Sequence, residues 1–176
     1  MSKEFVNLVE NTINNDRILN SLDSNSWYHN SSIEPQKFQF IEATNQQKIH
    51  QKPKGLWIAK GKEWFDIVSQ MGTDSIKAGP YIYKVDIIED YTVVLESEKQ
   101  VMDFNFQYKI NKVGNDLNMF IDWPKVAKNF AGILIPDFDP TLAERFEWYY
   151  TWDLSSGCYW RDWPIKKIEF VDKLEL

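Results

Sequence analysis

The chain of 176 residues is poor in the residues that most often carry chemistry: it holds one cysteine, two histidines and seven glycines. A lone Cys158 makes no internal disulfide, so nothing points to an oxidising compartment. Between Gly157 and Tyr159 it reads as a small buried hydrophobe rather than a nucleophile. Two His and one Cys fall short of the Cys/His ligand set that structural zinc sites draw on, and no metal is expected. The few glycines leave little material for a backbone phosphate cradle, and no GxGxxG, GxSxG, HExxH or zinc-deaminase pattern occurs. No apolar window approaches about 18 residues, so no transmembrane helix is expected. No apolar signal region follows Met1, and the chain reads as a soluble, cytoplasmic protein. Cations are outnumbered: Lys and Arg total 20 against 26 Asp and Glu, a net charge of -6. That balance disfavours a general nucleic-acid clamp, which neutralises phosphates with basic side chains. The basic strip Lys52, Lys54, Lys60 and Lys62 leaves room for a small phosphorylated ligand.

What the chain has in excess is aromatic surface. Phe, Trp and Tyr make up 15% of it, with eight Trp, eight Tyr and eleven Phe. The Trp count is about three to four times ordinary usage. The length suits one domain, which buries roughly two thirds of its unfolded surface and needs no covalent staple.

Phe5, Val9 and Ile13 recur at helical spacing, with Ser2 as the expected N-cap, and a second short helical piece carries Ile18, Leu19 and Leu22. This N-terminal arm spans residues 1–26, and the loop from Asp23 to Ser26 leads into one α+β domain over 27–176. Trp27-Tyr28-His29 and Gly55-Leu56-Trp57-Ile58-Ala59 read as short strands, and residues 37–42 alternate in part. Trp64, Val68 and Met71 predict the inner face of a helix ending at Gly72. Residues 80–89 and 91–95 predict two strands around an acidic turn. Ser97-Glu98-Lys99-Gln100 is a capping-box pattern ahead of Val101, Phe104 and Tyr108. Asp122 caps a short helix with Pro124 in its first turn and Val126 and Phe130 on its inner face. Gly132–Pro136 reads as a buried strand, 147–153 as an aromatic strand and 164–171 as an alternating one. The fold class that follows is α+β: a strongly bent, mainly antiparallel split sheet flanked by short helices, with the helical arm at its N-terminus.

Three segments combine a buried frame with a polar group. His29 ends the first strand and is followed by Asn30-Ser31-Ser32. Gly55 precedes a strand and permits close approach of a ligand or another chain, with Trp57 as a flat stacking surface or a core residue. Glu147 and Asp153 bracket the aromatic run EWYYTWD. Strict alternation turns some of these side chains to the core, whereas Asp153 lies near the Ser155-Ser156-Gly157 turn and reads as solvated.

Taken in order, these segments resemble the ADP-ribosyltransferase superfamily, in the branch of poly- and mono-ADP-ribosyltransferases related to diphtheria toxin. Tyr28-His29-Asn30-Ser31-Ser32 is similar to the family's His strand. Gly55-Leu56-Trp57-Ile58-Ala59 is similar to its glycine–aromatic strand, with Trp57 in the usual place of Tyr. Glu147 to Asp153 is similar to its late acidic strand. Asn30 stands where the family carries a small residue, and the Glu-to-Asp spacing is one residue longer than the family's. The resemblance implies NAD as substrate. His29 and Ser31 would meet the adenosine-side ribose, and Gly55 and Trp57 the nicotinamide. Glu147 would be the catalytic acid that holds the ribose 2′-hydroxyl and stabilises an oxocarbenium-like transition state; Glu144 and Asp153 are its neighbouring alternatives. The acceptor would be a macromolecule, a protein in preference to nucleic acid. The alternatives from the residues themselves are a catalytically inactive binding domain with an aromatic-rich face and a sugar-binding module using Trp platforms. On the transferase reading Trp148, Trp152, Trp160 and Trp163 crowd the acid strand as a low-dielectric wall.

Overall fold

The computed structural model describes residues 3–34, 37–38, 40, 46, 50–71, 79–110 and 120–175, with side chains from residue 10 onward. Among these residues the chain is α+β, with six helices and seven strands in an open, mixed, mostly antiparallel sheet. No helix among the described residues is long and apolar enough to cross a membrane. By contact the chain divides into two compact units, one of residues 1–37, 58–86 and 167–176 and the other of residues 38–57 and 87–166.

The first unit begins with α1, Lys3–Ser21. It is one continuous helix where the spacing predicts two pieces. Its buried contact is Ile18, whereas Ile13, expected on the inner face, is exposed. The expected cap Ser2 lies outside the described residues. Asp23 then stops the chain with a local turn, accepting from the Asn25 amide and the Ser26 hydroxyl. β1 (Trp27–Ser31) pairs antiparallel with β2 (Leu56–Lys60), Tyr28 opposite Ala59, and with β3 (Tyr81–Ile87), His29 opposite Tyr83. α2 spans Glu63–Met71. Its buried side chain is Phe65, while Met71 is exposed and Gly72 lies outside the described residues, so its inner face is rotated from the Trp64–Met71 stripe. β7, Ile165–Lys173, ends the strand order beside β3. The core of this unit is Ile18, Tyr28, Phe65, Ile82 and Leu174.

The second unit holds the larger core. β4 (Thr92–Val94) runs parallel to β5 (Gly132–Ile135), which pairs antiparallel with β6 (Ser156–Tyr159). β5 and β6 are buried along their whole lengths, as a central strand covered on both faces requires. α3, Glu98–Tyr108, starts at the predicted cap: Ser97 Oγ accepts from the Gln100 amide. The Gln100 carboxamide reaches back to the Glu96 amide and the Ser97 hydroxyl, one position earlier than the usual box closes. α4, Trp123–Asn129, starts at Asp122, whose carboxylate accepts from the Lys125 amide. Phe130, expected inside α4, is its C-cap residue. α5 (Pro140–Ala143) and α6 (Glu147–Tyr150) are single helical turns.

Two expectations fail in this unit. Residues 147–153 form no strand: Glu147–Tyr150 is the α6 turn, and Asp153 follows with φ of 63°. The aromatic residues have high strand propensity, but Phe146, Trp148, Tyr149 and Trp152 are the buried ones, at helical rather than alternating spacing. The strand is instead β6, which takes in Ser156 and Gly157 of the expected Ser155-Ser156-Gly157 turn, while Cys158 is the small buried hydrophobe expected. The expected alternation at 37–42 falls largely outside the described residues.

Candidate functional site

Each proposed residue has a definite place within its own unit. In the first unit, His29 is half-buried on β1, between the strands β2 and β3. Ser31 ends that strand opposite Tyr81, and its hydroxyl donates to the Ile33 carbonyl at 2.5 Å. Gly79 enters β3 so closely that a Cβ there would lie 2.1 Å from the Ser31 carbonyl carbon. The steric requirement there falls on Gly79, because the atoms its Cβ would meet are backbone. Tyr83, opposite His29, has its phenol pushed up by burial and by the nearby Glu34 carboxylate.

In the second unit, Gly55 has a purely steric role. A Cβ at this position would meet the Tyr159 carbonyl oxygen at 2.3 Å and Cys158 Sγ at 2.9 Å. The chain that approaches Gly55 is therefore β6 of the same protein. Two residues on, Trp57 is half-buried, its ring centroid 4.9 Å from that of Trp152 and tilted by 56°. Lys52 Nζ lies 5.4 Å from the Trp57 ring centroid, within the range at which a cation is held by an aromatic face. Burial pushes the Lys52 ammonium below its usual range, against the opposing pull of Asp153 and Cys158. Trp152 is buried and its indole nitrogen has no hydrogen-bond partner among the described residues. Trp57 therefore lies close to both a cation and a buried indole.

Cys158 is fully buried and faces the Pro53 carbonyl at 3.9 Å. Burial pushes its thiol well up, so at neutral pH it is protonated and no nucleophile. His50 is exposed, with Nδ1 3.0 Å from the Lys52 carbonyl, and its own carbonyl accepts from Trp123 Nε1 at 2.9 Å.

Glu147 is exposed at the first position of α6, where a carboxylate complements the positive end of the helix. Its neighbour Trp148 points inward and donates to Asn105 Oδ1 at 3.1 Å. Glu144 and Asp153 are exposed as well. The expected aromatic wall does exist, but as core. Trp148, Trp152 and Trp160 are buried in it, while Trp163 is 52% exposed and carries Arg161 over its ring at 4.7 Å. The wall thus packs behind the helical turn, and no carboxylate projects into it from Glu147.

Of the predicted residues, the structure brings Gly55 and Trp57 into one neighbourhood with Lys52, Trp152 and Cys158. Lys52 and Trp152 were not singled out for this place. The basic run before Gly55 was a visible signal for Lys52; nothing local joins Trp57 to a residue 95 positions later. Comparison of the chain with family models, with curated proteins and with solved structures finds no match.

Proposed function

We propose that this chain is a cytoplasmic NAD-binding protein of the ADP-ribosyltransferase type, passing ADP-ribose to a protein acceptor. The observation that supports the reading is strand pairing: both motif strands of the resemblance form, and β1 pairs antiparallel with β2, Trp27 opposite Lys60 and Tyr28 opposite Ala59. The Trp57 ring offers a stacking surface for the nicotinamide. The Lys52 ammonium beside it complements the anionic pyrophosphate. His29 and Ser31 take the ribose on the adenosine side.

In the reaction the bond between ribose C1′ and the nicotinamide nitrogen breaks, and its electron pair leaves with nicotinamide. The acceptor side chain donates a lone pair to C1′ and loses a proton. Glu147 is the residue assigned to the ribose 2′-hydroxyl and to the positive charge developing on the sugar. Its exposure on a helical turn favours the second reading, a domain that binds NAD without turning it over.

The test is nicotinamide release by the purified chain, with transfer of label from adenylate-labelled NAD to lysate protein. Release above buffer hydrolysis is expected. Glu147→Gln should lower the rate by about 100-fold and change stability by less than about 0.5 kcal/mol, since the side chain is exposed. Thermal stabilisation by NAD without release would establish the non-catalytic reading. Neither release nor transfer to any lysate component would end the enzymatic claim.

A further inference from the structure

We propose that Lys52 is a nucleophilic amine that forms an imine with a planar aromatic aldehyde lying against the Trp57 ring. The backbone that carries it is fixed. His50 Nδ1 lies 3.0 Å from the Lys52 carbonyl. Pro53, the next residue, is buried, and its carbonyl faces Cys158 Sγ. The half-buried Lys52 side chain starts from this anchored point, and its Nζ is 5.4 Å from the centroid of the Trp57 ring.

What Nζ lacks is an oxygen. Among the described residues no carboxylate lies within ion-pair distance of it and no acceptor takes its hydrogens. Lys62, Lys99 and Lys167 each hold a carboxylate, and Lys125 Nζ donates to the Gln107 carbonyl. Partners of that kind keep an ammonium protonated; Lys52 has an aromatic face instead. Burial favours its neutral amine, and the Asp153 carboxylate opposes this. The neutral fraction is the nucleophile, as in lysines desolvated against apolar surface.

The Trp57 ring sets the class of ligand. The indole is half-buried, so part of its surface is left for another ring. An aromatic aldehyde bonded to Nζ can bring its ring within roughly 4.5–7 Å of the indole centroid, the range in which aromatic pairs attract. An aliphatic aldehyde gains the amine but not that contact. The step needs no co-reactant. The amine lone pair bonds to the carbonyl carbon and the C=O bond opens. The oxygen leaves as water with both amine protons, and a C=N bond remains. No NAD takes part, so failure of NAD to bind would leave this chemistry readable.

Reductive trapping reads it directly. The full chain is held at neutral pH with benzaldehyde or propanal and cyanoborohydride, which delivers hydride to the imine carbon, and labelled lysines are followed by mass spectrometry. Benzaldehyde should mark Lys52 about tenfold or more faster than Lys54, which is exposed and two residues away. With propanal that preference should shrink by about threefold or more, and Trp57→Leu should shrink it equally with benzaldehyde. Asp153→Asn keeps a residue that tolerates the left-handed backbone there, φ 63°. By withdrawing the opposing carboxylate it should raise the Lys52 rate about twofold or more. Unchanged Lys54 labelling in each variant confirms that the segment is intact. Equal rates at Lys52 and Lys54 overturn the proposal, as does a benzaldehyde preference that Trp57→Leu leaves intact or slower Lys52 labelling in Asp153→Asn.

Discussion

Gly55→Ala is expected to destabilise the second unit by about 3 kcal/mol, the upper part of the range for forced overpacking. The added methyl has nowhere to go: it meets the Tyr159 carbonyl at 2.3 Å and Cys158 Sγ at 2.9 Å. The first of these is backbone of β6, a strand buried along its whole length and paired with β5, so it does not swing aside as a flexible side chain would. At roughly 3 °C per kcal/mol for a chain of this size, the melting midpoint read by Trp fluorescence should fall by about 10 °C. A shift below about 2 °C would show that the two backbones are not in close approach. The same variant separates structure from function at the glycine–aromatic motif. Its glycine is explained by packing alone, so lost ligand binding in Gly55→Ala would follow from the displaced strand.

The second large effect is expected at Trp148. The indole is fully buried among Phe104, Trp123 and Tyr149, with ring centroids 5.3, 6.4 and 5.6 Å away. Its N–H donates to the side-chain Oδ1 of Asn105, itself buried. Trp148→Ala removes the largest side chain from the centre of this cluster and should cost about 4 kcal/mol. Trp148→Phe keeps a ring but withdraws the donor, and should cost about 2 kcal/mol through smaller volume and a lost buried hydrogen bond. Chemical denaturation of the two variants checks the order. Equal and small losses would contradict the assignment of Trp148 to the core, and would return it to the exposed aromatic face that an interaction module needs.

These two positions also mark how far the sequence can be read. The elements with local chemical signatures were legible. Ser97 and Asp122 start their helices because their oxygens satisfy amides that a helix leaves open. Residues 164–171 were expected as a strand, and β7 forms over Ile165–Lys173. Trp57 with its preceding glycine was visible as a pattern. The failures lie where tertiary burial overrides propensity. Glu147 to Asp153 carries strong strand formers, yet its burial follows a helical turn, and the acid at its head faces solvent. Ser156-Gly157-Cys158 carries weak ones, yet forms a buried strand, because Gly55 and Gly132 leave room on either side of it. A Cβ at Gly132 would lie 2.3 Å from the Tyr159 ring. The sequence does not display which distant backbone a glycine admits. Of the company that Trp57 keeps, Lys52 lies in the basic run just before its strand, whereas the contact with Trp152 joins positions far apart in the chain.

The account proposes that NAD binds this chain with Trp57 as the stacking surface for its nicotinamide. The most direct measurement is calorimetric titration of NAD into the wild-type chain and into Trp57→Leu, which keeps an apolar side chain against Trp152. A saturable one-to-one heat with a Kd below about 1 mM is predicted for the wild type. Trp57→Leu should weaken it by about tenfold or more through loss of the stacking surface. Absence of any saturable heat in the wild type, or equal affinity in both proteins, would contradict it.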